Sequence, residues 1–384
     1  MNNTKNRIQR FVLLMIILSV IFVTGCGKSG TDTNSSNSVG SSPSNEANSS
    51  YNEISGGEMV ASYEEDAVPG ILAKSGDNWF AIQQTYGTGE YTIGYGTSPD
   101  SIEAKSSIST GEIWNLSADG DYATWGERNE SEVKVMVYDS KSDKVEQVAL
   151  LTEDRENYKY QQSKVHTKDG KVYYLYSDYD ADKLKVMCYD MATGEESVVA
   201  EDDSAQNVGC FAMRDNTIII DSTGEQGEPA IGLVDITSGK IEKIDLPDGM
   251  DYVWEADVNG DTIATYYYDS RPGNNAWNEA DNIAVFQKGE EDVVPIFSFP
   301  NTNTGATYYA CNDDIELFGD YILWVYQQNT SGDILDHYDL TIYNYKTNDY
   351  HQEPATFNFA VDGDDLCWAT WNENINKVEI YKAK

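Results

Sequence analysis

Leu116-Ser-Ala-Asp-Gly-Asp-Tyr-Ala-Thr-Trp125 leads through a polar stretch into Val133-Lys-Val-Met-Val-Tyr-Asp-Ser-Lys-Ser-Asp-Lys-Val145. Asp119-Gly120 is a tight-turn dipeptide, since glycine accepts positive φ without a Cβ clash. Val133, Val135 and Val137 alternate with Lys134 and Met136, the period of a strand with two unlike faces. Ser140 to Lys144 is a second polar turn, after which Val145 restarts the pattern. The stretch reads strand, turn, strand, loop, strand, turn, strand, which is a small antiparallel sheet.

The unit recurs. A turn followed by an apolar run appears at Gly76-Asp-Asn-Trp-Phe80, Asp119-Gly120, Asp169-Gly170, Asp215-Asn216, Asn259-Gly260, Phe318-Gly319 and Asp362-Gly363. With the Gly (or Asn216) as mark, successive spacings are 44, 50, 46, 44, 59 and 44 residues. Four short strands repeated at this period define an all-β chain and a β-propeller, a ring of four-stranded blades. The second half of the unit recurs as Val135-Met-Val-Tyr-Asp139, Val186-Met-Cys-Tyr-Asp190, Ile231-Gly-Leu-Val-Asp235, Ile283-Ala-Val-Phe-Gln287 and Leu340-Thr-Ile-Tyr-Asn344.

The pattern Ser117-x-Asp-Gly, Trp125 and Val-Tyr-Asp139 resembles the repeat of TolB-like (WD40-like) β-propellers, over most of residues 67–384. The resemblance implies a propeller and leaves the role open, because one fold serves many functions. The last unit, from Phe357, shows three strands, while Met59 to Tyr63 has strand character far upstream. Residues 57–66 are therefore expected to supply the outer strand of the Phe357–Lys384 blade, closing the ring and removing an open edge. Seven blades are predicted, with six or eight as alternatives because of the 59-residue spacing and the weak first unit. The expected limits are 67–109, 110–156, 157–203, 204–248, 249–300 and 301–356, with the shared blade last. No ordinary helix is expected in 57–384, beyond one short turn within Thr152–Tyr160.

The net charge is −39. Residues 1–25 contain Lys5, Arg7 and Arg10 and no acid, so residues 26–384 carry −42. Such a surface disfavours nucleic acid and gives no attraction to anionic lipid. Residues 1–25 read as a signal peptide: a basic start, then an apolar run from Phe11 to Val23 broken by Ser19. Val23-Thr-Gly-Cys26 resembles a bacterial lipobox. That resemblance implies cleavage before Cys26, a membrane partner through lipid (palmitate among the acyl chains) on Cys26, and an extracytoplasmic location at the cell membrane. Several acyl chains hold stably, since each buried methylene contributes about 0.8 kcal/mol. Residues 26–56 are Ser/Asn-rich and expected to be a disordered tether, spanning roughly 30 Å, ahead of the propeller domain at 57–384. Cys188, Cys210, Cys311 and Cys367 fall in or near strands and read as buried apolar residues, one disulfide being allowed outside the cytoplasm.

Variable loops on a rigid ring carry binding. The loops between second and third strands vary most: Gly126–Glu132, Ser177–Lys183, Asp221–Pro229, Asp269–Asp281 and Gln327–His337. Trp277, Arg271 and Tyr268 are the candidate ligand-binding residues, Trp277 as a platform for a sugar or a partner's side chain. Asp178, Asp180 and Asp182 alternate as in a calcium loop but lack the glycine and distant glutamate of an EF-hand, so calcium is a weak candidate and no other cofactor is expected. No Gly-x-Ser-x-Gly elbow or His-Glu-x-x-His occurs. Ser117 to Trp125 partly resembles a sialidase Asp-box, one residue out of spacing, and only Arg128, Arg155, Arg214 and Arg271 follow residue 25. The expected function is a non-catalytic binding or scaffold module for a protein or envelope glycan. The alternative is a carbohydrate-active enzyme, glycosidase or polysaccharide lyase, using loop-face carboxylates.

Overall fold

The computed structural model describes residues 54, 56–64, 68–84, 90–108, 112–113, 115–203, 209–224, 228–269, 281–293, 295–298, 307–330, 337–372 and 377–384. The expected signal peptide (1–25), Cys26 and nearly all of the tether lie outside them.

Seven antiparallel sheets form seven blades, six contiguous in sequence and one shared. From blade seven through blade one to blade six the first strand of each blade packs against the first strand of the next, and the first strand of blade seven also meets the second and third strands of blade six, so the first strands ring the axis. They are Val68–Ser75, Ser117–Asp119, Val165–Lys168, Phe211–Arg214, Tyr252–Asn259, Thr307–Phe318 and Thr356–Asp362. In blade two the inner strand is broken, with Glu112–Ile113 and Ser117–Asp119 both pairing with Tyr122–Arg128. The helical content of the described residues is one 3-10 turn, Arg155–Asn157, capped by the Asp154 side chain, inside the acidic stretch expected to turn.

Closure follows the expected route. Gly57–Glu64 runs antiparallel to Lys377–Ala383, from Gly57 opposite Ala383 to Glu64 opposite Lys377. The shared blade is thus ordered 356–362, 365–372, 377–383, 57–64 from axis to rim.

The apolar alternation is spent between blades. Seven buried clusters occupy the seven interfaces, including that between blades seven and one, where Ala61, Leu72, Trp79, Cys367 and Ile380 meet. Trp125, Trp324 and Trp368 are among the largest fully buried side chains, each on a second strand. Removing such a ring costs roughly 3–5 kcal/mol.

Strand alternation defines two faces. First-to-second and third-to-fourth turns share a turn face; second-to-third loops and blade-to-blade links share a loop face. On the turn face the recurrent motifs have structural work. Asp119 ends its strand opposite Tyr122, and Gly120 and Asp121 form the turn, with Gly120 at φ 58°. Asp119 Oδ2 accepts from the Asp169 amide at 2.5 Å, Ser75 Oγ from the Gly120 amide at 2.9 Å, and Asp362 Oδ2 from the Gly76 amide at 2.7 Å. Each bond locks one blade to the next. In blades two, three, four and six the residue ending the third strand caps the following turn: Asp139 accepts from the amides of Lys141 and Ser142, Asp190 from Ala192 and Thr193, Asp235 from Thr237 and Ser238, and Asn344 from Lys346 and Thr347. These are Asx turns.

Candidate functional site

The inner strands enclose an axial cavity of about 380 Å³. Its wall is charged, and two of its ion pairs cross from blade to blade. Lys164, just before the inner strand of blade three, places Nζ 2.5 Å from Glu255 Oε1 on the inner strand of blade five. Both side chains are more than nine-tenths buried. Arg214 of blade four holds both Asp257 oxygens, Nε lying 2.9 and 3.0 Å from them, and Nη2 also donates to the Leu317 carbonyl of blade six. Asp257 Oδ2 in turn accepts from the Leu317 amide at 2.7 Å, so one carboxylate joins three blades. Asn115 bridges blades two and three by bonding both the amide and the carbonyl of Val165, and Asn358 joins blades seven and one by accepting from the Leu72 amide at 2.8 Å.

His166 is half-buried on this wall. Burial pushes its pKa down to about 4, with the Lys164 charge adding to the effect. The ring is therefore neutral near pH 7, and its Nε2 lies 3.1 Å from the Phe211 carbonyl, which assigns the proton to Nε2.

Toward the loop face, Asp221, Tyr252 and the Gly209-Cys210 backbone converge. Asp221 Oδ2 accepts from the amides of Gly209 and Cys210 at 2.7 and 2.9 Å. Burial nevertheless pushes this carboxyl up to about 7. Burial also raises the Tyr252 hydroxyl, with the Asp221 charge contributing. Gly209 makes the approach possible, since a Cβ there would stand 2.2 Å from the Tyr252 hydroxyl oxygen and 2.7 Å from Asp221 Oδ2. Burial holds the Cys210 thiol well above its ordinary range, so it is no thiolate nucleophile. Cys188, Cys210 and Cys367 are free, buried thiols.

The sequence candidates are distributed unevenly. Tyr268 ends the second strand of blade five opposite Tyr252 and is half-buried. Its neighbours Tyr266 and Tyr267 are buried against blades six and four, away from the axis. Trp277 and Arg271 lie outside the described residues. Asp178 accepts from Lys185 Nζ at 2.8 Å and from the Ala181 amide, which lowers its pKa. Asp180 is almost wholly exposed, 3.6 Å from Lys159 Nζ. Among the described residues no three His, Cys, Asp or Glu side chains are grouped as a metal site requires. Arg128 and Arg155 both pair with the buried Glu153 at 3.3 and 3.2 Å, and Arg214 pairs with Asp257. The three described arginines after residue 25 are thus each bound to a carboxylate of the protein.

Lys164, Glu255, Asp221 and Trp254 were not singled out from sequence. The available signal was Tyr252-Val-Trp-Glu-Ala-Asp257, where two acids interrupt a strand that otherwise reads as core.

No protein-family model matches the sequence, and no curated protein matches it. Solved structures do. The ring is similar to the β-propeller domain of the Trilobed protease from Pyrococcus furiosus, described as having an open velcro topology (TM-score 0.51, 11% identity, covering 84% of this chain and 94% of that one). It is also similar to a prolyl endopeptidase (TM-score 0.47, 8% identity, 84% of this chain and 50% of that one) and to TolB from Acinetobacter baumannii (TM-score 0.40, 14% identity, 79% of each). Likeness at these identities speaks to the fold alone.

Proposed function

We propose that the protein is a binding or scaffold module, held by lipid on Cys26 at the extracytoplasmic face of the cell membrane, whose loop face engages a protein or an envelope glycan without chemistry at the axis. The observation carrying this reading is the pairing of four axial charges in blade-to-blade bonds, Lys164 to Glu255 and Arg214 to Asp257. Groups held in such pairs brace a ring, which leaves recognition to its face.

Strand direction supports an orientation. Gly57 begins the outermost strand of the shared blade at the turn face, where the Lys384 amide bonds the Gly56 carbonyl at 3.2 Å. A tether entering there puts the turn face toward the membrane and the loop face outward.

A second reading, a glycosidase or lyase, draws on Asp221, a carboxyl raised to about 7 beside Tyr252, the range a general acid uses. Both of its amide bonds fall on one oxygen.

Two measurements test the first reading. In cell fractionation, Cys26→Ser should move the protein from the membrane to the soluble extracytoplasmic fraction; membrane retention of the processed variant would defeat the anchor. A glycan array probed with the full chain in detergent should show binding without turnover, or remain blank while crosslinking on intact cells captures a partner protein. Turnover of a bound glycan that is abolished in Asp221→Asn would transfer the assignment to the second reading.

A further inference from the structure

Asn259-Gly260 is the one Asn-Gly pair in the chain. It stands where the first strand of blade five meets its turn. Asn259 pairs with Thr262, and Gly260 and Asp261 form the turn between them. Both residues of the pair are exposed. Gly260 has φ of 62°, and a Cβ placed on it would meet nothing within 4 Å. Among the described residues no group bonds the Asn259 side chain or the Gly260 amide. The equivalent amides of Gly76 and Gly120 are held by Asp362 and Ser75. Asn115, Asn344 and Asn358 are held too, each by bonds of its side chain.

An unheld Asn-Gly pair is reactive toward itself. The Gly260 nitrogen follows directly on Asn259, and its joining to the side-chain carbonyl carbon closes a five-membered ring. Glycine puts no Cβ in the way of that approach. In blade four the turn asparagine, Asn216, is followed by Thr217, whose branched side chain crowds the attacking nitrogen. In blades two, three and seven the turns carry Asp119-Gly120, Asp169-Gly170 and Asp362-Gly363. An ionised carboxylate is a poorer electrophile than an amide, so these turns react more slowly. Ser75 and Phe318 stand before the turn glycines of blades one and six and offer no carbonyl for the ring.

We propose that Asn259 is a self-modification site, at which the protein converts its own side-chain amide to a carboxylate. The Gly260 nitrogen loses its proton to solvent and attacks Asn259 Cγ. The N–C bond of the ring forms, the bond from Cγ to the amide nitrogen breaks, and ammonia leaves with a proton returned from water. A water molecule then opens the succinimide at either carbonyl, giving aspartate or isoaspartate. The net change consumes one water and releases one ammonia, with no oxidation or reduction. The aspartate product gives blade five the Asp-Gly turn of blades two, three and seven. Its charge enters the groove of about 360 Å³ between blades four and five, which Lys240 and Lys288 also line. Isoaspartate instead adds a methylene to the backbone of the turn. The site is independent of the binding-module reading.

The test ages the purified full chain in detergent at neutral and at mildly alkaline pH, beside the same chain unfolded in urea. It reads peptide masses, ammonia release and isoaspartate by enzymatic methylation. The expected result in the folded chain is an amide-to-acid mass gain confined to the peptide carrying Asn259 and matched by an equal amount of ammonia. The gain should come faster at the higher pH, because the attacking nitrogen must lose a proton. Asn259→Gln should remove both signals, since its longer side chain closes a less favoured six-membered ring. Gly260→Ala, with folding checked by its melting curve, should slow the conversion about tenfold. Asn259→Asp should co-elute on ion exchange with the aspartate form of the aged wild type. A folded chain that leaves Asn259 intact over the time in which the unfolded chain converts it would overturn the proposal, because the fold would then protect the pair. Conversion centred on another asparagine, or undiminished in both Asn259→Gln and Gly260→Ala, would overturn it as well.

Discussion

Lys164 and Glu255 meet at 2.5 Å although they belong to blades three and five, so their bond spans the place of blade four on the axis. Removing one member of a buried pair leaves the other charge without its counter-ion, which costs about 3–5 kcal/mol, whereas replacing both with apolar side chains is often near neutral. Lys164→Met should therefore lower stability by that amount in urea unfolding, and the double variant Lys164→Met, Glu255→Met should recover most of it. A double variant as unstable as the single one would show that other bonds of these side chains matter more than the pair.

Two glycines separate crowding from backbone strain. A Cβ at Gly126 would lie 1.9 Å from the Ser163 carbonyl oxygen of the next blade. Gly120 has open space around it but φ of 58°. Gly120→Ala should cost about 1–2 kcal/mol, the penalty of the left-handed region. Gly126→Ala should cost at least about 3 kcal/mol, the upper end of overpacking. Chemical unfolding of both orders them; the reverse order would refute the close approach of blades two and three.

His166 and Asp221 give opposite pH slopes. The His166 pKa falls from 6.5 to about 4 on folding, so the unfolded chain binds the extra proton and this group's stability contribution is lost as pH falls from 6.5 to 4. The Asp221 pKa rises from 3.8 to about 7, so the folded chain binds the extra proton and stability is lost as pH rises from about 4 to 7. The two slopes offset one another between roughly pH 4 and 6.5. Relative to the wild type, Asp221→Asn should gain stability with rising pH in that window, by up to about 1.4 kcal/mol per pH unit, and His166→Gln should lose it. Urea melts at three pH values check both signs, and parallel curves for all three proteins would reject the assignment.

Deleting residues 57–64 should lower the melting temperature and promote self-association, because Lys377–Ala383 then becomes an open edge. Calorimetry and size-exclusion chromatography read the two effects. A monomer with unchanged melting would mean that the ring is closed by other means.

Much of the architecture was legible because it depends on local rules. Turn glycines and alternating valines mark strands wherever they occur, and the spacing of the marks located every blade. The short turn in Thr152–Tyr160 was legible for the same reason. The roles of the repeated motifs were not. Asp119 looked like half of a turn, yet its carboxylate serves the next blade, and Asp139, Asp190 and Asp235 recur because each caps a turn. The axial site was hidden by sequence distance: Lys164 lies 91 residues from Glu255. A run of apolar residues also masked Trp254, since only the bulge between Val253 and Glu255 turns that ring into water.

The strand from Gly57 to Glu64 has a mechanical meaning beyond closing the circle. Its first residue is at the turn face, and its seven paired positions lie along the direction from that face to the other. A pull between the residues preceding Gly57 and a ligand gripped at the loop face runs along this strand. Its hydrogen bonds are then loaded together in shear rather than opened one at a time like a zipper. In the proposed arrangement, the seam that fastens the ring is also the joint that carries tension between the lipid anchor and the loop-face ligand.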